Sequence, residues 1–168
     1  MQVDQPPKIP IPSSLIYRPL PADLDQATNR GLRSVFRKVD AENMFPCRNC
    51  LQDGKIGDTM ELLSYDPWLG DSPYRQSGPI FVHAEPKCEK ATFPAGSSYL
   101  PEQQRGRQLS VRAFNGENMM VGFDVIQGED LVKRAESFFE QKGEGKAEYV
   151  HVHYPAPGCF AVRIDRGA

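Results

Sequence analysis

The sequence predicts an α+β domain: a mostly antiparallel sheet built from hairpins, one major amphipathic helix and a proline-rich N-terminal arm. Three observations carry this prediction. Asn115-Gly116 stands between the apolar runs QLSVRAF (108–114) and ENMMVGFDVI (117–126). Both residues tolerate positive φ, which makes the dipeptide the strongest short hairpin signal. The chain closes on a second pair of strand-like runs, AEYVHVHY (147–154) and CFAVRID (159–165), around Pro155-Ala156-Pro157-Gly158. Finally, the order is mostly strands with one strong helix, without the strand–helix alternation of a parallel sheet.

The elements follow in order. Five prolines precede residue 21. Each fixes φ and removes a donor, so residues 1–20 read as an extended, flexible arm and 21–168 as a single domain. Pro21 opens a short helix over 22–29, stopped at Gly31. Residues 32–40 read as a strand, and the loop FPCRNCLQDGKIGD turns at Gly54 and Gly57. Residues 59–65 and 79–84 are strands around the loop DPWLGDSPYRQSG, and residues 85–106 form a long polar loop. After the Asn115-Gly116 hairpin, Gly128 ends the strand. Residues 129–142 form the helix, with Leu131, Val132, Ala135, Phe138 and Phe139 on one stripe. Glu129 and Asp130 suit its positive end, Lys142 the other, and Gly143 stops it.

Length and composition bound the function. The chain has 168 residues, 39% of them hydrophobic, and a net charge of −2. That length suits one domain with its own core. The near-neutral balance argues against a nucleic-acid partner, and Arg30, Arg33, Arg37, Lys38, Arg105, Arg107 and Arg112 read as solvated faces. No run of about 18 apolar residues predicts a membrane span. Prolines interrupt the N-terminus where a signal peptide would need an apolar segment, so the expected compartment is cytoplasmic. There, Cys47, Cys50, Cys88 and Cys159 read as thiols or metal ligands before disulfides.

Three segments carry candidate chemistry. Cys47-Arg48-Asn49-Cys50 is a C-x-x-C that can grip zinc or act as a redox dithiol. A structural zinc needs two more ligands, and only His83, Cys88, His151, His153 and Cys159 are available. No second C-x-x-C exists, so no metal site is assigned. In His151-Val152-His153, alternation puts both imidazoles on one face. A four-residue loop at 155–158 sets Tyr154 opposite Cys159, His153 opposite Phe160 and His151 opposite Val162. That register leaves Cys159 on the other face. In the loop 71–79, the Arg75 guanidinium and the open amides at Ser77-Gly78 can cradle a carboxylate or phosphate. The usual hydrolase, nucleotide-loop, zinc-protease and dinucleotide motifs are absent.

Several of these strings together resemble a known family. They are Phe45-Pro46-Cys47-Arg48, Leu62-Leu63-Ser64-Tyr65, Ser72-Pro73-Tyr74-Arg75, Ser77-Gly78-Pro79-Ile80-Phe81-Val82, His151-Val152-His153 and Gly158-Cys159-Phe160. Over roughly residues 20–166 the chain resembles the bacterial family catalogued as domain of unknown function 1203. The resemblance implies a small stand-alone protein and carries no activity with it. Its pattern includes Cys47 and Arg48 and is less firm about Cys50; Cys88 and the arm lie outside it.

The expected function is binding of a small anionic or polar molecule in a pocket lined by Arg48, Arg75, Ser77 and His151. Cys47 and His153 are the candidate catalytic pair, with Arg48 lowering the Cys47 thiol pKa to make a nucleophile. Whether the chain is an enzyme stays open, and no cofactor is assigned. The alternative is a non-enzymatic structural or protein-interaction module, stabilised by zinc through Cys47 and Cys50, its protein partner unspecified.

Overall fold

Alternating side chains give the C-terminal half of the chain a sheet with two unlike faces. The computed structural model describes residues 4–20, 33–67 and 70–167. Within them the strands are β1 (Leu15–Arg18), β2 (Val35–Lys38), β3 (Thr59–Tyr65), β4 (Gly78–Glu85), β5 (Gln108–Phe114), β6 (Met120–Gln127), β7 (Tyr149–His153) and β8 (Phe160–Arg166). Five of them form an antiparallel sheet in the order β1-β8-β7-β5-β6, and the other three form a second antiparallel sheet, β2-β3-β4. The helices are a short α1 (Glu102–Arg105) and the main α2 (Leu131–Phe139). This is the α+β architecture that the hairpins and the single apolar stripe predict.

One face of the larger sheet is apolar. Leu109, Val111 and Ala113 of β5, Val150 and Val152 of β7, and Val162 and Ile164 of β8 share a core with Leu131, Ala135, Phe138 and Phe139 of α2. The other face carries Phe114, Tyr149, His151, His153 and Phe160, all buried. It is covered by the smaller sheet and the loop before β4: Tyr65 meets Phe160 at 5.6 Å and Tyr74 meets Phe114 at 5.8 Å between ring centres. A second core of Val39, Met60, Ile80 and Val82 lies there, with Phe160 as its member from the larger sheet.

Local details depart from expectation for identifiable reasons. The main helix is continued at its N-terminal side by a 3-10 turn, Gly128–Asp130, but stops at Phe139 rather than residue 142. The Gln141 amide reaches back only to the Phe138 carbonyl, and Lys142 is extended, so the ladder is already broken. A Cβ on Gly128 would lie 1.8 Å from the Gln104 carbonyl oxygen, so the close approach to α1 requires glycine there. The hairpin between β5 and β6 is real, but its loop spans residues 115–119. The Asn115 side chain accepts from the Glu117 and Met119 amides, and Asn118, not Asn115 or Gly116, takes positive φ.

The β7–β8 pairing sets His153 opposite Phe160, as expected, but His151 opposite Arg163 rather than Val162. A bulge between the Val152 and His153 pairs adds one residue to β8 and shifts the register from there on. The N-terminal segment is not a free arm over residues 15–18. They pair with β8 as an edge strand, with Leu15 and Tyr17 buried, because this stretch lacks proline and alternates correctly. The strand expected over 32–40 is the shorter β2, and the helix expected over 22–29 lies outside the described residues. Among the described residues no helix is long and apolar enough to cross a membrane.

Candidate metal centre

The C-x-x-C segment is folded into a knuckle by its own backbone. The Cys47 amide donates to Gln52 O at 3.0 Å, the Leu51 amide to Cys47 O at 3.1 Å, and the Gly54 amide to Phe45 O at 2.8 Å. Leu51 accepts positive φ (58°), an uncommon conformation for a branched residue, to close the turn. The Arg48 amide bonds Phe81 O at 2.9 Å, which lays the knuckle along β4. Strand β4 then presents His83, and the loop after it returns with Cys88. The ligand atoms of Cys47, Cys50, His83 and Cys88 all lie within 4.8 Å of one another. This Cys3His group could hold a metal ion.

Two of its donor spacings match those of a tetrahedral site. Bonds of about 2.3 Å to sulfur and about 2.0–2.1 Å to nitrogen put two sulfurs about 3.8 Å apart and sulfur and nitrogen about 3.6 Å apart. Cys47 Sγ and Cys88 Sγ are 3.7 Å apart, and Cys50 Sγ and His83 Nδ1 are 3.6 Å apart. The outer groups orient the donors. His83 Nε2 lies 3.2 Å from Asp58 Oδ2, leaving Nδ1 toward the thiols. Asp58 Oδ2 in turn accepts from the Lys55 amide at 2.8 Å. A carboxylate behind a ligating imidazole fixes the tautomer and raises ligand basicity. Asn49 Nδ2 donates to Cys88 Sγ at 3.5 Å, and the His83 amide donates to Cys47 Sγ at 3.4 Å.

The electrostatics point the same way. The Cys50 thiol donating to Cys47, with the amides of Cys50, Asn49 and His83, outweighs burial and lowers the Cys47 pKa to about 4. Cys50 is pushed up, first by that hydrogen bond to Cys47 and then by burial and the Cys47 charge. Cys88 is raised by burial and by the same charge. Three thiolates this close repel one another, and a divalent cation is the group that lets all three ionise.

The other sequence-predicted residues sit elsewhere. Arg48 is 1% exposed. Its Nε donates to Phe160 O and its Nη1 to Pro46 O, both at 2.6 Å, its Nη2 reaches Cys159 Sγ at 2.8 Å, and its plane lies 4.8 Å from the Tyr154 ring centre. Arg48 therefore pins the knuckle to the β7–β8 hairpin and is not the group that lowers Cys47. Arg75 is bonded to Asp66 Oδ2 at 2.8 Å, and Ser77 is exposed just before β4. His151 and His153 lie on the covered face of the larger sheet. Arg48 reaches His153 only electrostatically, helping to lower it, while burial is the main cause of its value of about 4. The His153 ring bonds Gly158 O through Nδ1 at 3.0 Å, and burial also lowers His151 well below the usual range. The contacts of Cys47 and those of His153 thus belong to different neighbourhoods.

Sequence reasoning named His83 and Cys88 as available ligands but could not choose them over His151, His153 and Cys159. It read Arg112 as part of a solvated face, whereas Arg112 is half-buried opposite His151 in the β5–β7 pairing. The sequence signals were the short spacing of His83 and Cys88 and the even spacing of Ser110, Arg112 and Phe114 on a strand.

No curated protein and no solved structure matches the chain. The profile of the family described as Protein of unknown function (DUF1203) matches residues 44–166, which begins later than the resemblance first suggested and includes all four residues of the cluster. The chain belongs to the DUF1203 family.

Proposed function

We propose that the chain is a zinc-stabilised structural or interaction module in which Cys47, Cys50, His83 and Cys88 bind one zinc ion. The observation that carries this reading is the convergence of four donors within 4.8 Å, two pairs of them at spacings that fit zinc bond lengths. Four protein ligands fill a tetrahedron and leave no position for water or substrate, which favours a structural over a catalytic ion. The ion would clamp together the knuckle, β4 and the following loop, which contribute Cys47, Ile80, Val82 and Cys88 to the second core or its edge. The expected anion pocket around Arg48 and Arg75 finds less support, because Arg48 spends its donors on Phe160, Pro46 and Cys159, and Arg75 is paired with Asp66.

The test is metal analysis of protein purified without chelator, followed by cobalt substitution. One zinc per chain, and a cobalt spectrum with thiolate charge transfer and intense tetrahedral bands, is expected. Cys88→Ser should lose the ion or bind it far more weakly. Metal-free protein that folds normally, or a cobalt spectrum of octahedral oxygen ligation, would overturn the proposal.

A further inference from the structure

The covered face of the larger sheet holds a second polar site that is independent of the zinc reading. Strands β5 and β7 pair Ser110 with His153 and Arg112 with His151. The loop before β4 folds over them and leaves a cavity of about 50 Å³ lined in part by Tyr74, Gln76, Arg112, His151 and His153. Two groups in its wall lack partners. His151 is 1% exposed and its Nε2 is buried with no hydrogen bond. The half-buried Arg112 guanidinium makes no ion pair or side-chain hydrogen bond among the described residues, and burial makes its charged form less favourable. Buried charges are ordinarily paired and buried imidazole nitrogens ordinarily bonded, so both groups call for a partner that the described residues do not provide.

The cavity does not stand alone. Arg112 and Met120 also line a neighbouring hollow of about 500 Å³ along the edge strand β6. There Phe123 is 74% exposed and Val125 54%. The carboxylate of that hollow, Asp124, is already engaged by Arg134 at 2.9 Å and by the Val125 amide at 2.8 Å, so it does not neutralise Arg112. The small inner space suits a head group of a few atoms, since one water occupies about 30 Å³ of liquid. The outer hollow suits an apolar body.

We infer that Arg112 and His151 bind the carboxylate of a small organic acid whose apolar part lies over Met120, Phe123 and Val125. The guanidinium offers a planar pair of donors to the carboxylate, and an Nε2–H on His151 offers a third. His153, whose Nδ1–H donates to Gly158 O, keeps a bare Nε2 in the wall that can accept from a hydroxyl of the ligand. An amine is repelled by Arg112, and a neutral alcohol leaves its charge unpaired.

The experiment uses the full chain as purified and follows the imidazole resonances of His151 and His153 by NMR. Hexanoate is the probe, with hexanol and hexylammonium as controls. Hexanoate should shift both rings saturably below about 20 mM, and the controls should not. Arg112→Gln should weaken hexanoate binding at least about tenfold, and Arg112→Lys should restore part of it. Absence of saturable shifts with hexanoate, or equal shifts with hexanol, overturns the inference, as does full affinity in a folded Arg112→Gln. If Arg112→Gln does not fold, the wild-type comparison of the three probes decides alone.

Discussion

Asp58→Asn tests the metal centre without touching a ligand. Asp58 is held by the Lys55 amide at 2.8 Å and faces His83 Nε2 at 3.2 Å, so it acts on the ion only through the imidazole. Asparagine keeps nearly the same shape and can still accept from Lys55, but it removes the negative charge behind the ring. Losing such an outer carboxylate costs about 10–100-fold in metal affinity. That is about 1.4–2.7 kcal/mol of binding free energy, and by mass action the metal-bound fold loses a similar amount at fixed free zinc. The assay is competition against a chromophoric chelator, with zinc release read by absorbance, beside urea unfolding at buffered zinc. Asp58→Asn should shift both readouts together, while unfolding of the metal-free form should change much less. If zinc affinity stays within about twofold of wild type, His83 is not a ligand positioned by Asp58, and the assignment of this centre is refuted.

Two further predictions concern groups outside the centre. Arg48→Lys replaces a fork that serves Phe160 O, Pro46 O and Cys159 Sγ with a single ammonium. It should cost about 3–5 kcal/mol in urea unfolding, since bonds to a charged donor are worth about 1.5–3 kcal/mol each and more than one is lost. A loss below about 1 kcal/mol would show that Arg48 does not pin the hairpin. The second concerns pH. Burial lowers the His153 pKa to about 4, below the ordinary value near 6.5, so the unfolded chain takes up a proton that the folded chain refuses. Its contribution is unchanged above about pH 6.5, and stability falls as pH drops from there toward 4, by up to about 3 kcal/mol, with His151 acting in the same direction. His153→Gln should flatten this slope relative to wild type in unfolding curves between about pH 6.5 and 5. An unchanged slope would contradict the burial of a neutral His153.

Sequence alone was enough for the features that depend on near neighbours. The period of α2, the hairpin at Asn115, the shared face of His151 and His153 and the C-x-x-C knuckle are all set by spacing over a few residues, where backbone geometry leaves few choices. Five candidates for the two further ligands could be named because cysteine and histidine are the donors of structural zinc sites, but nothing local chose among them. Tertiary structure groups two of them with the C-x-x-C by running β4 beside the knuckle, which brings His83 and Cys88 to Cys47 and Cys50, while Cys159 lies against Arg48. It also turned Arg112 from an apparently solvated charge into the wall of a covered cavity, because the loop that covers it belongs to a distant stretch of chain. Long-range pairing depends on the total packing of two sheets rather than on any short string of residues, so those two facts became visible only in three dimensions.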